Sequence, residues 1–364
     1  MHVGMSVVFQ NPDRARPDHE VWRDELKLAD MAEPLGYQSV WTVEHHFTDY
    51  MLAPNPMQFL TWVAARTKKV QLGSMVAVLP WHDPLRLAEQ ISMLDILSDG
   101  RLILGIGRGA ALVEFNGFRV PMDESRPRFA ESAEMLLDGL ERGWVEYDGE
   151  YIKQPKCNIR PAPFKSFKGR CFAASVSPAS IPMMAKLGVG LLIIPQKPWP
   201  EVEKELAEYR SKYREIRGEE APAPIFAGWT FVDKDAGRAL DMAHKYIAGY
   251  FKTVLKHYEF ASSHLATTKG YEYYGKIADK IAEIGEDKFV EFFMSLQVYG
   301  TPEQCYERIV TTRERLDSDT FIGVFGYTGM PHEEAVRNMR LFASEIMPEL
   351  KKLPPVTETQ RDVA

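Results

Sequence analysis

Eight short, nearly all-apolar runs punctuate this chain, and most are followed by a segment of helical length. The runs are His2–Phe9, Gln38–Val43, Val70–Leu79, Arg101–Ile106, Arg170–Ala174, Val189–Ile194, Ile225–Val232 and Thr320–Phe325. Stretches such as Val76–Leu79 and Leu191–Ile194 have no polar face, so a strand made from them must be covered on both sides, as in a parallel sheet. Eight strand–helix units favour a closed (β/α)₈ TIM barrel over an open sheet.

The helical segments expected between the strands are Asp18–Leu35, Asn55–Arg66, Pro84–Leu97, Glu124–Arg142, Ser177–Leu187, Trp199–Arg217, Ala236–Tyr258, Pro302–Leu316 and His332–Leu350. Gly36 and Gly100 suit the left-handed position that ends a helix. Two stretches break the alternation: Tyr147–Lys168, rich in proline, and the mixed insertion Phe260–Val298. No Gly/Ser or Pro linker divides the chain, so residues 1–350 are assigned to one domain and 351–364 to a loose polar tail.

In such a barrel the C-terminal ends of the strands form the active face. Glu44-His45-His46 closes the second run. Neighbouring strand residues point to opposite sides, so only one of the two histidines faces the mouth. A histidine there suits proton transfer near neutral pH, although position alone leaves a loop-supporting histidine equally open. The three residues are too close in sequence for obvious joint ligation, and no metal site is expected. Gly105-Ile106-Gly107-Arg108-Gly109-Ala110 ends the fourth run. It matches a dinucleotide fingerprint in form, but it is not in the first strand–helix unit and lacks the acidic residue closing the next strand. Its glycines would let a ligand approach the backbone, and Arg108 offers a fork to phosphate or carboxylate. Ser177-Pro178-Ala179-Ser180 opens the next helix, with Ser177 as N-cap and Ser180 in the first turn. This is an ordinary cap when taken alone and an anion site when combined with Arg108. Trp41, Phe47, Tyr50, Met51, Trp81, Phe115 and Trp229 crowd the expected loops and suit either a flat apolar ligand or core packing.

Composition removes several alternatives. The net charge of −7 argues against nucleic acid or an anionic membrane as the main partner. Cys157, Cys171 and Cys305 are too scattered for a disulfide framework, and no run is long enough to span a bilayer. With no signal-peptide pattern, the expected location is cytoplasmic.

The runs EHHFTDYMLAPNP (Glu44–Pro56) and VQLGSMVAVLPWHDPLRLAEQISMLDILSDGRLILGIGRG (Val70–Gly109) resemble the bacterial luciferase-like family of flavin-dependent monooxygenases. MDESRPRF (Met122–Phe129), YIKQPK (Tyr151–Lys156), GTPEQC (Gly300–Cys305) and the ending Gly329–Pro348 extend the likeness over nearly the whole chain. The resemblance implies a luciferase-like barrel with insertions. It also implies reduced FMN supplied by a separate NAD(P)H–flavin reductase, and a flavin hydroperoxide formed with O2 that oxygenates a small apolar organic substrate. His45, assisted by Glu44, matches the catalytic position. Arg108, Ser177 and Ser180 match the phosphate positions, Met75–Val76 falls where many members carry a cis peptide under the flavin, and Gly107 lies beside the ring. Luciferase catalytic subunits carry Cys where this chain has Gly107, which leaves room beside the ring, and Glu where it has Val176. These departures put light emission in doubt, but not FMN use. A homodimer is expected through the helices carrying Phe59, Trp62, Leu87 and Met93. Two alternatives stay open: a deazaflavin-dependent hydride-transfer enzyme and a non-catalytic flavin-binding subunit. A lid is expected after the seventh strand and in Ser262–Val298.

Overall fold

The computed structural model describes residues 1–356 apart from 175–177, 261 and 263, together with all their side chains except that of residue 273. Val176 and Ser177 therefore lie outside the described residues.

Eight parallel strands close into a barrel: His2–Val7, Ser39–Thr42, Gln71–Ser74, Leu102–Gly107, Cys171–Ala174, Gly190–Ile193, Ile225–Val232 and Thr320–Val324. The first pairs with both the second and the eighth, and the sixth with the seventh, so no edge remains. The eight runs anticipated from sequence are these eight strands. Alternate residues of the strands point inward. Trp41, Ile103, Phe172, Leu192, Ile225, Ala227 and Ile322 fill the interior as a dry plug. The Trp41 ring lies directly on Gly73, where a Cβ would come within 2.1 Å of it, so a large residue on one strand requires the smallest on the next.

The helices shield the outer faces. Asp18–Leu35, Pro84–Leu97, Trp199–Arg217 and Pro302–Leu316 have the bounds expected from sequence. Their ends follow from side-chain chemistry. Asp83 accepts the Arg86 amide at 2.8 Å, Thr301 and Gln304 form a reciprocal capping box, and Gly36 is left-handed at φ 90°.

Four differences from the sequence reading have local causes. The run Val70–Leu79 is cut at a cis Met75–Val76 peptide, after which only Ala77–Val78 pairs with the fourth strand. Ser177–Leu187 becomes a tight turn at Pro178–Ser180 followed by a helix over Ile181–Leu187. The last helix divides into His332–Glu345 and Met347–Lys352, where Pro348 has no amide to donate. That second helix enters the expected tail, and the Val356 amide donates to Asp319 at 2.9 Å, so the chain stays docked to residue 356. The Pro-rich excursion holds a hairpin, Trp144–Asp148 with Lys153–Asn158. The late insertion is helical at His264–Thr267, Glu272–Ile284 and Glu286–Ser295, and ends in a short strand, Val298–Gly300, that pairs with the seventh strand. No helix among the described residues is long and apolar enough to cross a membrane.

Two buried carboxylates brace this frame. Asp95, fully buried, receives both terminal nitrogens of Arg170, at 2.8 and 3.1 Å, tying the fifth strand to the Pro84–Leu97 helix. Glu25, on the first helix, accepts the Val8 amide at 3.3 Å where the first strand ends. Burial pushes the Glu25 carboxyl up to about 8.

Candidate active site at the barrel mouth

The second strand ends at Thr42 and the chain runs on through Val43 into Glu44, His45 and His46; Val43, Glu44 and His45 line the cavity at the mouth. Glu44 is almost wholly buried. Its Oε1 accepts from His46 Nε2 at 3.1 Å and His82 Nε2 at 2.7 Å, while Oε2 accepts the Val78 amide at 2.8 Å. Burial would raise this carboxyl, but the two imidazole donors outweigh it and hold it below the usual range. Glu44 thus fastens the histidine loop to the backbone beyond the cis peptide.

His45 is gripped by a residue the sequence reading did not single out. Glu114 Oε1 lies 3.0 Å from His45 Nδ1 and also accepts the His46 amide at 2.8 Å. Burial works against ionising Glu114, yet the His45 charge, the His45 hydrogen bond and the nearby His257 imidazole hold it down to about 2. A charged carboxylate only accepts, so it takes the Nδ1–H of His45 and leaves Nε2 facing the Tyr258 hydroxyl, 3.5 Å away. His257 Nε2 approaches the same Glu114 oxygen at 3.6 Å, and its ring stacks on Tyr50 at 4.4 Å. Burial lowers the proton affinity of His257. Donor atoms of His45, Glu114 and His257 lie within 4.8 Å of one another, close enough to share a metal ion, although in this arrangement they bind each other. Glu114 comes from the short helix Leu112–Phe118 after the fourth strand and His257 from the end of Ala236–His257 after the seventh, so no local spacing could reveal them.

Arg108 leaves the fourth strand with its guanidinium carbon 3.9 Å over the Tyr271 ring and Nη1 donating to the Gly270 carbonyl at 2.7 Å. Arg126 Nη2 donates to the same carbonyl at 3.2 Å. Burial and then the charge of Arg108 lower the proton affinity of Arg126, the sign of two cations held around one point. Arg126 lies in the MDESRPRF stretch but was not identified from sequence. Ser180 lines the same cavity, so the structure gathers His45, Arg108 and Ser180. Gly107 does not leave the open space expected of it: a Cβ there would come within 2.3 Å of Val76 Cγ2, which fills the position.

The cavity between these groups measures about 280 Å³. Tyr50, Met51, Trp81 and Trp229 line it, whereas Trp41 belongs to the plug, Phe115 to the core, and Phe47 is 59% exposed. Tyr258, Phe260, Tyr274 and Phe293, from the segment after the seventh strand and the late insertion, line it as well. Among the residues expected at a dimer face, Phe59 and Leu87 are buried within the chain, while Met93 is exposed beside Ile96 and Leu97.

A sequence profile described as luciferase-like monooxygenase matches residues 1–319. The chain is 25% identical over 354 residues to the alkanal monooxygenase alpha chain of Photorhabdus luminescens, covering 95% of this chain and 96% of that one. It is 27% identical over 261 residues to the oxygenase component of the flavin-dependent trigonelline monooxygenase of Acinetobacter baylyi, covering 69% and 72%. Among solved structures, monooxygenase RslO1 from Streptomyces bottropensis superposes with a TM-score of 0.79 at 27% identity, covering 96% of this chain and 99% of that one.

Proposed function

The chain belongs to the luciferase-like monooxygenase family, and we propose that it is the oxygenase component of a two-component system. It takes reduced FMN from a separate NAD(P)H–flavin reductase and places one atom of O2 in an apolar organic substrate, the other leaving as water. The observation that carries this reading is the convergence of Arg108 and Arg126 on a single carbonyl beside an apolar cavity that an oriented His45 also lines. Two guanidiniums in a pocket that lowers the proton affinity of one of them fit a dianionic phosphate.

Arg108 and Arg126, with Ser180 and Ser177, would hold the FMN phosphate, and Met75, Val76 and Gly107 would back its ring. Bound reduced FMN supplies the electrons that activate O2, and the protein supplies binding, orientation and shielding. Glu114 fixes the His45 tautomer so that Nε2 takes or returns a proton toward the cavity, with Tyr258 as its hydrogen-bond neighbour. Glu44 acts through position, holding the loop. Phe260 and Tyr274 keep water from the cavity. A cytoplasmic homodimer, paired through the face that exposes Met93, Ile96 and Leu97, completes the proposal.

The test pairs anaerobic binding with isotope tracing. Reduced FMN should bind more tightly than a deazaflavin. With a reductase, NAD(P)H and isotopically labelled dioxygen, one labelled atom should enter the organic product. Tighter deazaflavin binding, or product free of label, would overturn it.

A further inference from the structure

We propose that His45, Glu114 and His257 form a binding site for one divalent cation of the zinc type, and that its occupation stops His45 from accepting a proton. The site itself needs neither flavin nor oxygen; its consequence for catalysis rests on the oxygenase reading.

Three separate elements supply the ligands. His45 lies in the loop after the second strand, Glu114 in the short helix Leu112–Phe118, and His257 at the end of Ala236–His257. Their donor atoms all lie within 4.8 Å of one another, and among the described residues no other group of three His, Cys, Asp or Glu side chains comes so close. Glu114 Oε1 is 3.0 Å from His45 Nδ1 and 3.6 Å from His257 Nε2. A tetrahedral zinc ion, with bonds of about 2.1 Å, holds its donors about 3.4 Å apart, so the two separations bracket the spacing it requires.

The cluster is unsatisfied as it stands. His257 Nε2 and Glu114 Oε2 are buried with no hydrogen-bond partner among the described residues. The 3.6 Å approach of His257 Nε2 to Oε1 is too long to count as one. His257 is not free to turn elsewhere. Its Nδ1 is engaged by the Thr48 hydroxyl at 3.1 Å, and its ring lies on Tyr50 with the planes inclined by 15°. A partner on the outer nitrogen is how a ligating imidazole is ordinarily oriented. Glu114 is fully buried, and among the described residues its ion-pair partners are these two histidines, with no lysine or arginine. The His45 ring and the His46 amide both meet Oε1, which leaves Oε2 bare. A buried carboxylate in that position calls for a cation.

The donor set selects the ion. Two imidazoles with one carboxylate suit zinc, whereas magnesium and calcium favour oxygen ligands. His45 and Glu114 line the cavity, so an ion arriving through the mouth meets two of its three ligands there, and water from the cavity can take the fourth place.

Binding moves one proton. In the metal-free site Nδ1–H of His45 points at Glu114 and Nε2 keeps its lone pair. To ligate through Nδ1 the ring must give up that proton, and its single proton then sits on Nε2, carried there by solvent. The ring stays neutral, with no proton gained or lost overall. Nε2 can then donate but not accept.

The experiment uses the full chain, stripped of metal and without flavin, so its outcome is separate from that of the isotope test. Calorimetry with Zn2+ should show a site that His257→Gln and Glu114→Gln each weaken tenfold or more. In the wild-type protein, which needs no variant to fold, Co2+ should give a visible absorption band that Zn2+ abolishes and Mg2+ does not. Histidine nitrogen resonances of the wild type should show the His45 proton on Nδ1 before Zn2+ and on Nε2 after it. No cobalt band, a zinc affinity unchanged in either variant, or magnesium bound as tightly as zinc would each overturn the site. A proton that stays on Nδ1 with Zn2+ bound would overturn the switch. Zinc binding that fails while labelled oxygen enters a product would sink this assignment and leave the oxygenase reading standing.

Discussion

Replacing Glu25 by glutamine removes one ionisable group from the junction of the first strand and first helix, and its effect should depend on pH in a way few substitutions do. Burial is the dominant influence on this carboxyl, and it carries the group from its ordinary 4.5 to about 8 in the folded chain. The amide donors that favour its charge, Val8 at 3.3 Å among them, are too weak to compensate. Between those two values the folded protein keeps a proton that the unfolded chain has released. Wild-type stability therefore falls as pH rises through this window, by about 1.4 kcal/mol per unit, and levels off above it. Glutamine does not titrate. The stability difference between Glu25→Gln and wild type should consequently grow in the variant's favour by about 4 kcal/mol from pH 5 to pH 8. Any constant cost of an altered hydrogen bond shifts both ends equally and cancels. Urea unfolding followed by tryptophan fluorescence at several pH values measures this directly. A difference that stays flat within about 1 kcal/mol across the window would show that Glu25 is not held neutral by its burial.

The other predictions address the site and its frame. His45→Ala should retain reduced-FMN affinity while product formation falls by about 10²–10⁴, the usual worth of a positioned proton-transfer group, and coupled oxygenation at the wild-type rate would remove His45 from that role. Arg108→Ala and Arg126→Ala should each weaken FMN binding by about 1.5–3 kcal/mol, as read by equilibrium dialysis, and an unchanged dissociation constant for both would refute the phosphate cradle. Gly107→Ala should destabilise the protein by about 1–3 kcal/mol, because its methyl would meet Val76 Cγ2, and an unchanged melting temperature would contradict that contact. Arg170→Ala leaves Asp95 buried and uncompensated, so a loss of about 3–5 kcal/mol is expected in chemical denaturation; a loss below 1 would mean that Asp95 finds another partner.

The barrel was legible because its signal is local. A strand covered on both faces must be apolar along its length, and an outer helix must carry one apolar stripe, so each unit announces itself within a dozen residues. What the alternation did not convey were the interruptions. The cis bond at Met75–Val76 was anticipated from the family resemblance, whereas the residue types around it do not mark it by themselves. The Val298–Gly300 strand is three residues long and is defined by its pairing with Thr230–Val232, a relation across the late helical insertion.

The mouth was legible only in part, and the division follows the origin of each contact. His45, Arg108 and Ser180 announce themselves because each sits just past a strand or at a helix start, where the barrel fixes its direction. Glu114, Arg126 and His257 act through partners 69, 144 and 143 residues away along the chain in the cases of His45, Gly270 and Glu114. Glu114 matters because two separate elements, the loop carrying His45 and His46 and the helix carrying His257, bring a backbone amide and two imidazoles to one of its oxygens, an arrangement that exists only after the barrel has closed. Gly107 carries the same lesson in the opposite direction. Sequence shows a missing side chain and suggests space, but Val76, from the neighbouring strand, occupies that space. The electrostatic centre is thus a product of closure, in which the sequence specifies the posts and the ring of strands determines which posts meet.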